Sequence, residues 1–530
     1  MVGRPGKEQE GCPATIPAVT GTAVDAAAPV RVPPWLYAGG LIVLAGSIVL
    51  RYWTRSDLWL DEALTVNISR LPLRQFPSAL RQDGSPPLYY FLLHFWMKVF
   101  GQGDLGVRSL SGTLGVFSLP LTWVAGRRLG GRAVAWSATL LVATSPFAVR
   151  YSTENRMYML IVVLTLLGFL ALDSALRNPT GWRLALVAVD TGLLLLSHYW
   201  CLYLIGAVVL MLAWMSRPGM PRSAAARRSL AAVVVGFVFL LPWAGILVFQ
   251  LLHTGTPWSQ PASFAAMVNA VSDFAGGGTS AGRALGLIFF GLAGLAVFGR
   301  AIDNYRVELD LRTRPRARAV GWIAGGTLVL AIVGGFVLRS AFTERYTAVM
   351  FAAFILLVSL GLTVLLDPRI RYTVLAVATA LGLAGSVTNV TTNRTQAASI
   401  VHSIEAQASP GDVVVYCPDQ LGPAASRLLT GAFVQTTYPR AIGPDRVDWV
   451  DYATVAKASR PGAFAQKVLA QTGPAHNVWL VWSPDYLTIG ARCQSLESDF
   501  AILRPHSKLV IAEQGAKYFE HANLVRYWGS

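Results

Sequence analysis

The sequence predicts a polytopic α-helical membrane protein, with about eleven transmembrane helices, that ends in an extracytoplasmic α/β domain. Hydrophobic residues make up 54% of the 530 positions, and charged residues only 14%, against about 25% in soluble domains. A soluble globule could not bury that much apolar surface. Four cysteines in the whole chain are too few for a disulfide framework. Apolar runs recur until about residue 390 and then stop, which separates the membrane part from the α/β part.

The first 34 residues are rich in Ala, Pro, Gly and Val, without the apolar core of a signal peptide, and we expect a flexible cytoplasmic tail. Residues 35–390 form the predicted membrane domain. Its apolar runs each approach the roughly 20 residues that cross a bilayer. The eleven predicted spans are 34–53, 110–126, 133–149, 157–176, 182–199, 200–216, 229–250, 284–299, 319–338, 346–366 and 372–388.

A further apolar stretch, Pro86 to Gly101, is shorter and contains His94 and Lys98. We interpret it as an interfacial or re-entrant helix, because counting it as a span would break the alternation of charge between loops. Without it, arginine concentrates in every second loop, and basic loops are cytoplasmic in membrane proteins. These basic loops are 127–132, 177–183, 217–228, 300–318 and 369–371.

The net charge of +16 therefore reports orientation, and we expect no nucleic-acid partner. The predicted protein is a multi-pass protein of the cell membrane with a cytoplasmic N-terminus, and its outer side holds the loop 52–109 and everything after about residue 390.

Residues 391–530 form the predicted extracytoplasmic domain. Charged residues return there, and short β-branched or aromatic runs, such as 413–416, 478–482 and 509–511, alternate with helix-like stretches. This alternation predicts a small α/β domain with a partly parallel sheet. Because that compartment is oxidising, Cys417 and Cys493 could pair, and the sequence leaves the pairing open.

Adjacent carboxylates, Asp61 and Glu62, lie between Trp59-Leu60 and Ala63 in the first outer loop. Partial desolvation and mutual repulsion would raise the pKa of at least one of them, which suits a general base. The alternative is an interfacial helix start, where first-turn acids are favoured by the helix dipole.

Two further polar groups lie at outer span ends. The first is Glu154 with Arg156, which capping of a helix explains only in part. The second is Arg339 with Glu344-Arg345-Tyr346, where arginine suits bidentate phosphate binding and interfacial snorkelling is the alternative.

Three more residues are weaker candidates for substrate binding. His198 marks an outer span end, and Asp83 with the following Pro86–Tyr90 run, which includes Tyr89, could shape an acceptor groove or simply enter an interfacial helix. The histidines show no metal-ligand spacing, so we expect no metal cofactor.

Five short motifs occur in an order that resembles a known family. They are Trp59-Leu60-Asp61-Glu62, Asp83-Gly84-Ser85-Pro86-Pro87-Leu88-Tyr89-Tyr90, Arg108-Ser109 after Gly101, Ser145-Pro146-Phe147 through Tyr158, and Glu344-Arg345-Tyr346. Residues 35–365 resemble the GT-C integral-membrane glycosyltransferases, above all the protein O-mannosyltransferases (glycosyltransferase family 39) and their aminoarabinose-transferase relatives. The C-terminal domain lies outside the resemblance.

The resemblance implies a polyprenyl-phosphate-linked sugar donor, an inverting mechanism, juxtamembrane helices in the loop 52–109 and no requirement for metal. By position, Asp61 corresponds to the catalytic base, and Glu62 would orient the acceptor or share the proton. Arg345, with Arg339, would neutralise the departing phosphate, and Glu154 and Arg156 correspond to a second polar motif. We include Arg156 among the predicted phosphate-binding residues and Glu154 among the predicted substrate-binding residues.

We therefore predict transfer of a sugar, with mannose expected, to an envelope glycan, glycolipid or protein on the outer membrane face, with membrane lipid as a further partner. One alternative is arabinofuranosyl or other pentosyl transfer. From other classes, a lipid or glycan transporter and a structural member of an envelope-assembly complex remain, although a transporter would place its charges near the midplane. The sequence does not predict the sugar, the acceptor, the role of the C-terminal domain or the oligomeric state.

Overall fold

The computed structural model describes residues 34–254, 263–312, 314–338 and 342–529. The predicted cytoplasmic tail, apart from Pro34, and the candidate Arg339 lie outside these described residues.

A helical part comes first in the chain and contains one short β-hairpin. Its helices are α1 (Pro34–Leu50), α2 (Leu60–Ser69), α3 (Phe76–Asp83), α4 (Leu88–Phe100), α5 (Asp104–Thr144), α6 (Pro146–Ser152), α7 (Tyr158–Arg177), α8 (Gly181–Ser197), α9 (Cys201–Met215), α10 (Ser223–Gly236), α11 (Ala244–His253), α12 (Phe264–Asp273), α13 (Ser280–Phe298), α14 (Pro315–Leu338), α15 (Ala348–Leu362) and α16 (Pro368–Thr391). The hairpin, β1 (Gly299–Ala301) with β2 (Val307–Leu309), joins α13 to α14.

Within the described residues, six helices are long and apolar enough to cross a membrane, or seven if the bent pair α5–α6 counts as one span. Each of the eleven predicted segments overlaps a helix, but α1, α8 and α9 have only 15 to 17 residues. Helix α5 joins two predicted spans across a kink at Gly130 and Gly131, where the backbone is not helical. Gly131 has a φ of +79°, which glycine adopts without steric cost. The count of eleven spans stays a prediction.

Helix α4 corresponds to the stretch that we excluded from the spans. Its 13 residues reach about 20 Å, which is short of the roughly 30 Å of a hydrocarbon core. One face buries Tyr89, Tyr90 and Leu93 against the protein, while Phe91 and Val99 on the other face are exposed. The exposed apolar face is available to acyl chains, and the interfacial position of α4 stays a prediction.

Two of the five loops predicted to share the inner side of the membrane meet in space. Asp173 at the end of α7 forms ion pairs with Arg177 (3.0 Å) and with Arg128 (3.6 Å), and both arginines belong to predicted inner loops. At the opposite end of the bundle, the predicted outer loops converge on the C-terminal part of the chain.

That C-terminal part is a five-stranded mixed sheet with flanking helices. Its elements are α17 (Ala397–Gln407), β3 (Val413–Cys417), α18 (Gly422–Leu428), β4 (Val434–Thr437), α19 (Tyr452–Ala458), α20 (Pro461–Thr472), β5 (Val478–Trp482), α21 (Arg492–Leu503), β6 (His506–Ile511) and β7 (Asn523–Trp528). The strand order is β4-β3-β5-β7-β6. Strand β3 pairs in parallel with β4 and β5, with Val413 opposite Val434 and Val478, whereas β7 is antiparallel to β5 and β6.

The two parallel strands at the centre, β3 and β5, consist of continuous apolar residues and do not alternate between apolar and polar residues. Every residue of β3 is buried, because helices cover both faces of a parallel sheet. A disulfide bond between Cys417 and Cys493 joins β3 to α21, so the pairing that the sequence left open is formed in the structure.

The sheet packs directly on the first outer loop. Trp59, Leu60 and Leu64 belong to the same hydrophobic core as strands β3 and β5. The backbone N–H of Trp449 donates to the carbonyl of Gln82 at 3.1 Å. The C-terminal part and α2 therefore form one packed unit, and the candidate site lies where they meet.

Candidate active site

Asp61 and Arg345 form an ion pair at the outer-loop end of the bundle. Asp61 lies in the first turn of α2, and Arg345 lies in a single 3₁₀ turn, Glu344–Thr347, directly before α15. Asp61 Oδ2 is 3.0 Å from Arg345 Nη1, and both side chains are more than four-fifths buried. The guanidinium carbon also lies 5.6 Å from the centre of the Trp59 ring. Two of the three charged groups singled out in the sequence thus meet.

The pair opens onto a cavity of about 380 Å³, here called the junction cavity. Its walls come from the membrane part and from the C-terminal part. The lining residues include Asp61, Asp83, Arg156, Arg345, Tyr346, Asp485, Phe519, Glu520 and His521. Rings mixed with carboxylates, amides and guanidinium groups can bind a ligand that carries hydroxyls and a phosphate.

Arg156 is held at the wall of this cavity by polar contacts. It donates hydrogen bonds to Thr65 Oγ1 (2.9 Å) and to the hydroxyl of Tyr90 (3.3 Å). The Tyr90 hydroxyl in turn donates to Asp83 Oδ2 at 2.7 Å. The predicted residues Arg156 and Asp83 are therefore brought together with Asp61, and Tyr90 links them.

Glu62 lies outside the lining of the junction cavity as the structure describes it. Its side chain is fully buried and accepts two hydrogen bonds from Arg108, at 2.7 and 2.6 Å, and one from the backbone N–H of Asn155 at 2.9 Å. Burial alone would raise the pKa of Glu62, but the arginine outweighs it and the pKa falls below its usual value. Through these contacts Glu62 fixes α2 in place, and its side chain does not face the space that a substrate would occupy.

Tyr89 and His198 lie behind the cavity wall. The Tyr89 hydroxyl is buried between Ser111 Oγ (2.8 Å) and Asn155 Oδ1 (3.0 Å). The His198 ring packs on Tyr346 with 4.6 Å between ring centres. His198 therefore supports a lining residue of the junction cavity, and in the described structure neither His198 nor Tyr89 lines the cavity itself.

A second cavity of about 350 Å³ adjoins the first and contains Glu154. The two cavities share Trp59, Arg345 and Phe519. Glu154 is buried and forms an ion pair with Arg150 at 3.1 Å. Asp273 also lines this cavity, and burial raises its pKa to about 6. Arg345 therefore reaches both cavities, with Asp61 on one side and Glu154 on the other.

The sequence reasoning missed the contribution of the C-terminal part. Arg394 is buried and donates to the carbonyl and to the hydroxyl of Thr153, at 2.9 and 2.7 Å. It also lies 3.8 Å from Glu62 and 3.9 Å from Glu154. Glu520 and Asp485 line the junction cavity. These residues lie outside the motifs, so only their contacts in the fold reveal them.

Among the described residues, no group of three or more His, Cys, Asp or Glu side chains is arranged to hold a metal ion.

Comparison with known proteins gives a family match and a fold match. A family model described as dolichyl-phosphate-mannose-protein mannosyltransferase matches residues 84–246. No curated protein matches the chain by sequence. The fold is similar to that of ArnT from Cupriavidus metallidurans in the apo state, with a TM-score of 0.57 at 15% identity over 93% of this chain and 97% of that one.

The structure of the same ArnT bound to undecaprenyl phosphate gives a TM-score of 0.56 at 14% identity, with the same coverage. The arabinofuranosyltransferase AftD from Mycobacteria gives 0.48 at 14% identity, over 93% of this chain and 42% of that one. The predicted resemblance is confirmed.

Proposed function

We propose that this chain, a multi-pass membrane protein with the fold of the GT-C glycosyltransferases, is an inverting glycosyltransferase that uses a polyprenyl-phosphate sugar. The observation that carries the proposal is the Asp61–Arg345 pair at a cavity with room for a ligand. The family match supports mannose as the sugar, and the undecaprenyl phosphate in the ArnT structure supports a lipid-phosphate donor. The acceptor is an envelope glycan, glycolipid or protein.

In the proposed reaction, Asp61 removes the proton from an acceptor hydroxyl. The hydroxyl oxygen attacks the anomeric carbon from the face opposite the phosphate, and the bond from that carbon to the phosphate oxygen breaks. The polyprenyl phosphate leaves with the electron pair, so the configuration inverts. Arg345, with Arg156, neutralises the charge that develops on the phosphate. The step uses no metal ion, because the guanidinium groups supply the positive charge.

The ion pair also sets the order of binding. Before the donor arrives, Asp61 is engaged by Arg345 at 3.0 Å. A phosphate competes for the same guanidinium, since arginine pairs with phosphate by two parallel hydrogen bonds. Donor binding would thus release Asp61 for the acceptor hydroxyl. Asp83 in the junction cavity and Glu154 in the second cavity would accept hydrogen bonds from sugar hydroxyls.

Two features support a site on the outer face of the membrane. A disulfide such as Cys417–Cys493 persists in oxidising compartments. The arginine-rich loops lie at the end of the bundle opposite the Asp61–Arg345 pair, where cytoplasmic loops are expected.

The decisive test is Asp61→Asn in the purified, lipid-reconstituted protein, assayed with labelled polyprenyl-phosphate mannose and envelope extract as the acceptor source. We expect kcat to fall by about 10²- to 10⁴-fold, the usual contribution of a general base, while the protein still unfolds in one cooperative thermal transition. Asp173→Asn, at the opposite end of the bundle, is the matched control and should retain activity.

Unimpaired transfer by the Asp61 variant would exclude Asp61 as the base. If the wild type moves only a pentose from a polyprenyl-phosphate arabinofuranose donor, the sugar assignment is wrong and the reaction class stands. If it moves neither sugar, a transporter or an assembly role replaces the proposal.

A further inference from the structure

The helix that carries Asp61 begins without a cap of its own. The first amides of a helix need acceptors from outside the helix, and the side chain at the N-cap usually provides one. Here the N-cap residue is Trp59, whose indole can only donate. The missing acceptor comes from the far end of the chain, since Glu520 Oε2 accepts the backbone N–H of Leu60 at 3.1 Å.

Glu520 belongs to a short stretch, Tyr518–His521, here called the capping segment. It lies between β6 and β7 of the C-terminal sheet. Phe519 packs edge-on against Trp59 with 5.3 Å between ring centres. Glu520 follows it, is 6% exposed and lines the junction cavity beside Asp61. The capping segment thus holds two consecutive residues directly before Asp61.

The capping segment is itself anchored. The backbone N–H of Glu520 donates to the carbonyl of Arg394 at 2.8 Å, and the N–H of Gln396 donates to the carbonyl of Glu520 at 2.9 Å. Arg394 lies beyond the end of α16 and also contacts Thr153 next to Glu154. The carboxyl group of Glu520 is therefore fixed relative to the bundle as well as to α2.

From these contacts we propose that Glu520 is a positioning residue for Asp61, so that the C-terminal α/β part is needed for sugar transfer. The inference rests on the proposed role of Asp61. Leu60 and Asp61 form the first turn of α2, so loss of the bond to Leu60 lets that turn fray and moves the carboxylate relative to Arg345. A shift of about 1 Å in a reacting group costs on the order of 100-fold in rate.

Three substitutions of Glu520 separate the effect of where its acceptor oxygen lies from the effect of its ionisable group. Glu520→Gln keeps an oxygen that accepts the Leu60 N–H and removes the ionisable group. Glu520→Asp keeps the carboxyl group and withdraws it by one methylene, and Glu520→Ala removes the acceptor. Glu405→Ala is the matched control, because Glu405 also accepts a backbone N–H in the same part of the chain, from Thr430 at 2.7 Å. In the described structure Glu405 lines neither cavity.

The first measurement does not depend on activity. Amide hydrogen exchange of a peptide covering residues 58–66 is expected to accelerate by about tenfold in Glu520→Ala and Glu520→Asp, since local fraying sets such rates. The exchange should stay near wild type in Glu520→Gln and in Glu405→Ala. Unchanged exchange in both shortened variants would overturn the proposed cap, whatever the protein catalyses.

The second measurement is sugar transfer. We expect kcat to fall at least tenfold in Glu520→Ala and Glu520→Asp with KM for the lipid donor within about twofold, and Glu520→Gln to retain most of kcat. If Glu520→Ala fails to fold, Glu520→Asp and Glu520→Gln carry the comparison. A Glu520→Gln variant as inactive as Glu520→Asp, or a Glu405→Ala variant with an equal loss, would overturn the positioning role. A wild type that transfers no sugar would overturn the proposed function and leave the exchange result standing.

Discussion

At the scale of single residues, Arg345 is the residue that connects the two cavities of the candidate site. It lines both cavities and pairs with Asp61. A lysine would keep the charge but lose the planar fork that binds a carboxylate or a phosphate by two hydrogen bonds. Both the planar shape of the Arg345 guanidinium and its charge are therefore expected to matter for phosphate binding.

We predict that Arg345→Ala lowers kcat/KM for the lipid donor by about 10²- to 10³-fold, the usual cost of removing one group that stabilises a developing anion. Arg345→Lys should lose about tenfold. Initial rates at limiting labelled donor measure both effects. Arg306→Lys is the control, because Arg306 is exposed in the β1–β2 hairpin. Equal activity of all three variants would remove Arg345 from phosphate binding.

A second prediction at this scale concerns pH and Glu520. Burial raises the pKa of Glu520 to about 8, the nearby Asp61 and Glu62 raise it further, and the hydrogen bonds from Leu60 and Thr395 oppose the shift. Between about pH 4.5 and pH 8 the folded chain keeps a proton that the unfolded chain has released, so the free energy of unfolding falls as pH rises. Asp419 acts in the same direction, since burial raises its pKa to about 7.

We expect Glu520→Gln to flatten the decline of the thermal midpoint between pH 5 and pH 8, measured in one detergent at constant ionic strength. Glu405→Gln should leave the decline unchanged, because hydrogen bonds from Thr430 lower the pKa of Glu405 and it stays ionised across this range. A Glu520→Gln profile as steep as that of the wild type would contradict the assignment.

At the scale of elements, helix α2 depends on the buried Glu62–Arg108 pair, whose side chains are 0% and 6% exposed. Removing one partner leaves an uncompensated buried charge, which costs about 3–5 kcal/mol, whereas apolar replacement of both partners is often neutral. We therefore predict that Glu62→Ala and Arg108→Ala each destabilise the protein strongly. The double variant Glu62→Leu with Arg108→Met should be more stable than either and should still transfer sugar.

Chemical unfolding and the transfer assay together test this prediction. The exposed pair Arg177–Asp173 is the control, since removing it should cost at most about 1 kcal/mol. A folded but inactive double variant would instead support the catalytic role that the sequence assigned to Glu62.

The helices of the candidate site also show which of its features can be predicted from the sequence. The length and composition of Pro86–Gly101 predict a short interfacial helix. The structure has a short helix there, α4, and its interfacial position stays a prediction. Asp61 and Arg345 could be singled out because acids and arginines are costly near a membrane. The sequence motif predicts Tyr89 as a site residue. Successive helical residues point about 100° apart, and Tyr90, not Tyr89, is the residue that reaches Asp83 and Arg156.

Contacts between distant segments could not be predicted. The Glu520–Leu60 bond joins residues 460 positions apart, and neither residue type is unusual in its local sequence. The same holds for Arg394, which lies beside two acids from different loops. Tertiary packing alone brings such residues to the site, so the role that we propose for the C-terminal part rests on contacts that only the structure shows.

At the scale of the whole molecule, orientation is the property on which the proposed function depends. The ion pairs of Asp173 with Arg128 and Arg177 mark one end of the bundle, and the Asp61–Arg345 pair marks the other. Basic loops are retained in the cytoplasm, and a disulfide such as Cys417–Cys493 forms outside it. Both arguments support the proposal that the C-terminal sheet and the candidate site lie on the outer face.

We predict that Lys508→Cys, on exposed strand β6, reacts with a membrane-impermeant maleimide in intact cells. Arg306→Cys, in the hairpin between α13 and α14, should react only after the membrane is permeabilised. Both substitutions are made in a variant with Cys12 replaced by serine. Of the other native cysteines, Cys417 and Cys493 are disulfide-bonded and Cys201 is buried. The introduced cysteine is then the reactive thiol. The reverse labelling pattern would place the Asp61–Arg345 pair in the cytoplasm, where an acceptor on the outer face could not reach it.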